Sequence, residues 1–179
     1  MDPLQVRLEL ISLKHEREFL RAARASRALH APWTSAPTTS AAFRRSLKAK
    51  SNDRNLGFLV FSRSKDLVGY VGVSEIVRGS FQSAYLGYYV FAPFQRRGFM
   101  TAALTQIITR LFRKYGLHRV EANIQPANTG SIRLVRGLGF RKEGLSRRYL
   151  KIKGKWRDHE RWAVTREEWN RVRPNLTRI

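Results

Sequence analysis

The stretch from Ser83 to Ile124 constrains the fold more than any other part of the chain. Between Gly98 and Tyr115, the residues Ala103, Leu104, Ile107, Ile108, Leu111 and Phe112 recur at three- and four-residue spacing, which predicts a helix with one apolar face. Before it, Ser83 to Phe91 reads as a strand that stops at Pro93, a residue unable to donate a ladder hydrogen bond. After it come a strand over His118 to Ile124, a helix over Asn128 to Gly137 and a strand from Phe140 onward. A strand–helix–strand–helix–strand run of this length predicts a mixed α/β sheet.

The flanks add strands and helices to that centre. Gln5 to Ile11 alternates Val6, Leu8 and Leu10 with Arg7 and Glu9, the pattern of a half-buried strand. Glu16 to Leu29 predicts a single helix ended before Pro32, and residues 31–39 a loop carrying Trp33 over the core. A second helix is expected to about Lys50, capped by Thr38, Thr39 or Ser40. Asn55 to Ser62 and Leu67 to Ile76 suggest an antiparallel hairpin around Arg63-Ser64-Lys65-Asp66. A second hairpin pairs Gly144 to Ile152 with Trp156 to Val164 through Lys153-Gly154-Lys155, and Arg166 to Val172 closes the chain as a helix. The 179 residues fit one domain, with no internal repeat.

Charge narrows the partners. Thirty-five Lys and Arg against 13 Asp and Glu leave +22, which suits a polyanion: nucleic acid, an anionic membrane surface or a phosphate-rich cofactor. A general arginine preference in the source proteome would give the same number. With Cys 0, disulfides, thiolate metal sites and cysteine nucleophiles are excluded. No apolar run approaches the ~20 residues of a membrane span, and Asp2, Arg7 and Glu9 interrupt any secretory signal, so a cytoplasmic protein is expected. None of His15, His30, His118 and His159 has a metal-ligand spacing, and no metal is expected.

The chemistry concentrates where the central strand meets the central helix. Gln95-Arg96-Arg97-Gly98-Phe99-Met100-Thr101 is a basic, glycine-containing loop that opens a helix. Unpaired N–H groups and the dipole at a helix start favour an anion, and glycine lets a phosphate approach the backbone. Solvated surface arginines are the plainer reading of Arg96 and Arg97.

This loop resembles the acetyl-CoA motif of the GCN5-related N-acetyltransferase (GNAT) family, Gln/Arg-x-x-Gly-x-Gly/Ala, with Gln95 and Gly98 matching and Met100 departing from the usual small residue. Asn128-Thr129-Gly130-Ser131 followed by Gly139-Phe140 is similar to the family's motif around its last core helix. Val77 to Phe81 leading into Tyr85 to Tyr88, and Gly154 to His159, resemble the RimJ-like branch, the ribosomal-protein alanine N-acetyltransferases. The likeness implies one GNAT domain over residues 1–179, with a mixed, mostly antiparallel sheet of six to seven strands flanked by helices. It also implies acetyl-CoA as cosubstrate between two splayed strands. Tyr89 and Val90 would then offer backbone groups to the pantetheine arm, Gln95, Arg96, Arg97, Gly98, Phe99, Met100 and Thr101 would wrap the pyrophosphate, and Asn128 would meet the pantetheine or adenosine side.

Direct transfer to an amine needs a proton acceptor for the amine and a donor for the leaving thiolate. By resemblance Ser131 is the donor, at a family position for such a serine; its plainer role is service to the helix backbone. Glu75, on an apolar strand, and Glu121, on the strand bordering the implied gap, are the candidate bases, with structural ion pairing as the alternative for both. The implied acceptor is a protein N-terminus, most directly that of a ribosomal protein, with ribosome or rRNA docking through the basic surface. The enzyme is expected to be a monomer or homodimer with no membrane partner. A small-molecule amine acetyltransferase is the alternative enzyme. A non-catalytic RNA-binding module is the alternative class, since Tyr149 and Trp156 stand among Arg147, Arg148 and Lys155; their period-2 spacing favours core partners of the hairpin instead.

Overall fold

The computed structural model describes residues 4–176. Its strands are β1 (Arg7–Leu10), β2 (Ser51–Asn52), β3 (Asn55–Phe61), β4 (Leu67–Val77), β5 (Ser83–Val90), β6 (Arg119–Ile124), β7 (Arg141–Ile152) and β8 (Lys155–Thr165). Its helices are α1 (Glu16–Ala25), α2 (Arg27–His30), α3 (Ser40–Ala49), α4 (Phe99–Arg113), α5 (Thr129–Gly137) and α6 (Arg166–Leu176), with one 3₁₀ turn at Leu13–His15. The strands are hydrogen-bonded in the order β1-β3-β4-β5-β6-β8-β7, with β2 on β3. This is the mixed α/β sheet expected, one strand larger than the upper bound of seven once the two-residue β2 is counted.

The backbone divides into two compact units, each made of two chain segments. One comprises Leu4–Ser74 and Gly87–Leu104; the other comprises Glu75–Leu86 and the chain from Thr105 onward. The strands β4 and β5 and the helix α4 each begin in one unit and end in the other.

In the first unit, β1, β2 and β4 all run antiparallel to β3. Phe58 to Phe61 and Leu67 to Val73 are buried almost without interruption, which makes these strands read as apolar runs rather than alternating ones. Phe19, Phe43, Leu59, Tyr70 and Phe91 anchor the core between strands and helices, with Phe19 edge-on to Phe91 at 5.6 Å. Thr39 caps α3, its hydroxyl accepting from the Ala42 N–H at 3.3 Å.

The expected single helix from Glu16 to Leu29 is two helices. Ser26 breaks it at φ −97°, ψ 8°. Its hydroxyl donates to the Ala22 carbonyl at 2.8 Å and accepts from the Ala92 N–H at 2.9 Å, while its own N–H still reaches the Ala22 carbonyl at 3.0 Å, so the side chain adds a long-range bond at the bend.

In the second unit, β6 lies parallel to the first three residues of β5, pairing Ser83–Tyr85 with Arg119–Glu121. The pairing stops there. On its other side β6 runs antiparallel to β8 from Arg119↔Thr165 to Ile124↔Glu160, and β8 pairs in turn with β7. Trp169 on α6 is 1% exposed, with its Nε1–H donated to Thr109 Oγ1 at 3.1 Å. No helix of the described residues is long and apolar enough to cross a membrane.

Candidate active site

The end of β5 and the start of α4 are built in the first unit from residues far apart in sequence. Gly69 on β4 faces the Tyr89–Val90 backbone so closely that a Cβ there would meet the Tyr89 carbonyl oxygen at 2.9 Å and Met100 Cε at 2.8 Å. Only glycine fits this approach. Tyr89 stacks on Tyr70 at 5.1 Å and lies 4.7 Å from the His30 ring, and burial pushes its hydroxyl well above the ordinary tyrosine range. His30 Nε2 is 2.8 Å from the Val90 carbonyl oxygen, which requires the tautomer with a proton on Nε2. The ring is 5% exposed and its Nδ1 has no partner, and desolvation lowers its pKa below the usual 6.5. Ser26 and His30, one helical turn apart, therefore fix Ala92 N–H and Val90 C=O at the exit of β5.

From that exit the chain turns through two left-handed residues, Arg96 at φ +58° and Gly98 at φ +80°. The first intrahelical bond of α4 runs from Ala102 N–H to Gly98 C=O at 3.1 Å, which leaves the N–H groups at the helix start outside the ladder. Gly98 is exposed, and a Cβ on it would meet only Leu4 at 3.7 Å, so the backbone is open to a bulky group. Arg96 is exposed at the same turn. The guanidinium of Arg97 lies 5.7 and 5.4 Å from the Phe94 and Phe99 rings, which stiffens the loop. Such a loop, with left-handed turns, cationic side chains and a helix start, accepts a phosphate-sized anion. Thr101 is exposed in the first turn and Gln95 half-buried before it. Met100, by contrast, is 9% exposed and serves the core, so only its backbone belongs to the loop surface.

The second unit holds the other predicted residues. Asn128 caps α5, its Oδ1 accepting from the Ser131 N–H at 3.1 Å. Ser131 is half-buried, and its hydroxyl makes no hydrogen bond among the described residues. Asn128 thus supplies the cap of this helix start. Val135, the next residue down that helix face, is fully buried.

The two carboxylates differ. Glu121 accepts from Arg119 Nε at 2.9 Å, and Arg119 also donates to both oxygens of Glu143. That bidentate bond lowers the Glu143 pKa and raises that of Arg119. Glu121 is therefore part of an ion-pair cluster, the alternative named for it above. Glu75 is exposed on β4 with φ +49°.

The histidines are all engaged in structure: His15 with Glu9, His30 with Val90, His118 with Glu167 and His159 with the Arg157 carbonyl. Among the described residues no cluster of three or more His, Asp or Glu could hold a metal. Sequence reasoning missed His30 and Ser26, because their partners lie 60 and 66 positions away. It also missed Asn123 on β6, whose Oδ1 is buried without a partner.

The sheet order, the interrupted β5–β6 pairing and the glycine loop at the helix start define a mixed α/β class of fold. The domain family described as Acetyltransferase (GNAT) domain matches residues 5–141, and the chain belongs to it. It is 43% identical over 105 residues to the [Ribosomal protein uS5]-alanine N-acetyltransferase of Escherichia coli (strain K12), a match spanning 59% of this chain and 54% of that one. Its structure is similar to Mycobacterium smegmatis RimJ in complex with CoA-disulfide, with a TM-score of 0.87 and 27% identity over 96% of this chain and 87% of that one. It is also similar to the ribosomal-protein-S5-alanine acetyltransferase of Vibrio fischeri, with a TM-score of 0.81 and 26% identity over 92% and 94% of the two chains.

Proposed function

We propose that the protein is an acetyl-CoA-dependent N-acetyltransferase acting on the N-terminal amine of a protein, most directly an alanine-starting ribosomal protein. The observation that carries this reading is the open, left-handed Gly98 turn at the start of α4, flanked by Arg96 and built on a β5 exit fixed by buried side chains. The 43% identity to a relative named for alanine N-acetylation supports the acceptor.

In this reading Gln95, Arg96, Arg97, Gly98, Phe99 and Thr101 hold the pyrophosphate, chiefly through backbone N–H groups, with the Met100 backbone between them. Tyr89 and Val90 present main-chain groups to the pantetheine amides, and Asn128 keeps its amide nitrogen for the same arm while its oxygen caps α5. Acetyl-CoA, when bound, supplies an acyl group activated as a thioester. The Ser131 hydroxyl donates its proton to the departing sulfur, a role its lack of a backbone partner permits. Water takes the proton of the acceptor amine, since Glu121 accepts a hydrogen bond from Arg119 and Glu75 lies exposed on the surface of β4. The protein works in the cytoplasm, where its acceptors are made.

Titration calorimetry with acetyl-CoA, followed by thiol release against alanine-starting peptides and small amines, tests this. Binding with turnover on peptides is expected. Turnover confined to small amines would replace the acceptor, and the absence of binding would remove the cofactor assignment.

A further inference from the structure

The end of the β7–β8 hairpin is a ribbon with no neighbour in the sheet: β6 reaches only Glu160 of β8, so Lys155–His159 pair with β7 alone. Six of the eleven residues 147–157 are cationic (Arg147, Arg148, Lys151, Lys153, Lys155 and Arg157) and none is acidic. Trp156 was expected in the hairpin's core and instead is 60% exposed. It stands opposite Lys151 in register and is flanked along its own strand by Lys155 and Arg157. Tyr149 does turn inward, 6.4 Å from the buried His159 ring.

From this we infer that the β7–β8 ribbon docks single-stranded RNA, with Trp156 stacked on an unpaired base and the surrounding Lys and Arg on its phosphates. The inference goes beyond acetyl transfer, and nothing in it requires the cofactor. Trp156 shares its face with Lys151, and Lys155 and Arg157 line the other face of the same narrow ribbon; an aromatic side chain bordered by cations is what sequence-tolerant single-strand binding uses. Same-face residues recur about every 6.6–6.8 Å along a strand, which gives the cations a linear rather than a clustered array. A membrane surface would ask for one apolar face. Here Leu150 and Ile152 share their face with Arg157 and Lys155, so neither side of the ribbon is apolar. The Asp158 carboxylate beyond the cations accepts from the Arg148 N–H at 2.8 Å, which pins the bulge between Ser146 and Leu150 and sets the ribbon's bend.

The test is fluorescence anisotropy of a labelled, unstructured RNA of about 12 nucleotides, with the same sequence as a duplex for comparison, in the absence of acetyl-CoA. Tighter binding to the single strand is expected. Trp156→Ala should weaken it by about 10-fold and Trp156→Phe should restore most of the loss, because a benzene ring still stacks. The variant Lys151→Ala, on the face of Trp156, should reduce the slope of log K against log salt by about 0.7. All three should melt and bind acetyl-CoA as the parent does. Paired loss of Arg17 and Arg21, exposed on α1, is the control for diffuse charge. The inference is overturned if that control weakens RNA as much as the ribbon variants do, or if Trp156→Ala leaves RNA binding intact. It is equally overturned if Trp156→Ala dissolves a dimer seen by sedimentation without touching RNA, or if the ribbon binds anionic vesicles in preference to RNA.

Discussion

The loop before α4 and the β7–β8 ribbon are both strongly cationic, yet they solve different problems. In the loop, the groups offered to an anion in the proposed site are main-chain N–H donors arranged by left-handed turns at Arg96 and Gly98, and the Arg97 guanidinium lies against the Phe94 and Phe99 rings. In the ribbon the inner edges of both strands are taken up by the β7–β8 ladder, and the charge is carried by side chains. The loop fits one compact anion and the ribbon an extended one. A net charge of +22 predicts neither; backbone conformation separates them.

The sharpest way to break that contrast is Gly98→Glu. It puts a side chain at φ +80° and a negative charge in the anion site, so acetyl-CoA affinity should fall by more than about 100-fold. RNA affinity should stay unchanged. Calorimetry with both ligands checks this, and parallel loss of the two would merge the surfaces into one. Next, Ser131→Ala should lower kcat by about 100-fold while leaving acetyl-CoA affinity within error, as single-turnover and binding measurements would report. An unaltered rate would remove the serine from the chemistry.

Salt sharpens the comparison at an intermediate scale. If about four phosphates are neutralised along the ribbon, raising salt from about 50 to 200 mM should weaken single-strand binding by roughly 50-fold. Acetyl-CoA, held mainly by backbone groups, should lose far less over the same range. Equal losses would mean that both surfaces bind through side-chain charge alone.

A smaller effect is expected at His30. His30→Phe keeps a ring against Tyr89 but removes the partner of the Val90 carbonyl, and cofactor affinity should weaken by about 10-fold. Because burial holds the folded His30 pKa below 6.5, the unfolded chain binds the extra proton first as pH falls. The associated stability is whole above about pH 6.5 and is lost as pH drops from there toward the folded value. Melting curves of the parent should shift down over that window, ahead of the carboxylates Glu143 and Glu168, whose lowered pKa values act only below 4.5. His30→Phe should flatten the histidine step. Smallest of all, Glu75→Gln should change turnover by less than about 2-fold, since the residue is solvated.

Legibility followed the range of the forces. The helix α4 was readable because its apolar spacing is a local property, and so was the loop before it, because Gly98 and the arginines are neighbours. The break at Ser26 carries no local signal; it falls where the serine hydroxyl takes a bond from Ala92 across 66 residues. Met100 in the core and Gly69 beneath Tyr89 are likewise consequences of β4 meeting β5. Asn128 read as a ligand contact, while its oxygen first completes a helix, a role that any Asn before a helix can take. Trp156 shows the limit of period-2 patterning, which identifies a strand but not whether a neighbouring strand covers it.

The seam between Ser26 and Ala92 also sets an order of assembly. Residues 26 and 30 are synthesised before residue 92, and their bonds close only after the chain has passed it, so the exit of β5 is completed by an element made earlier. Opening α1 and α2 locally would release the Ala92 amide to solvent while the β6–β8 ladder stays closed. Its hydrogen-exchange rate is therefore a single-atom gauge of whether the N-terminal helices are seated.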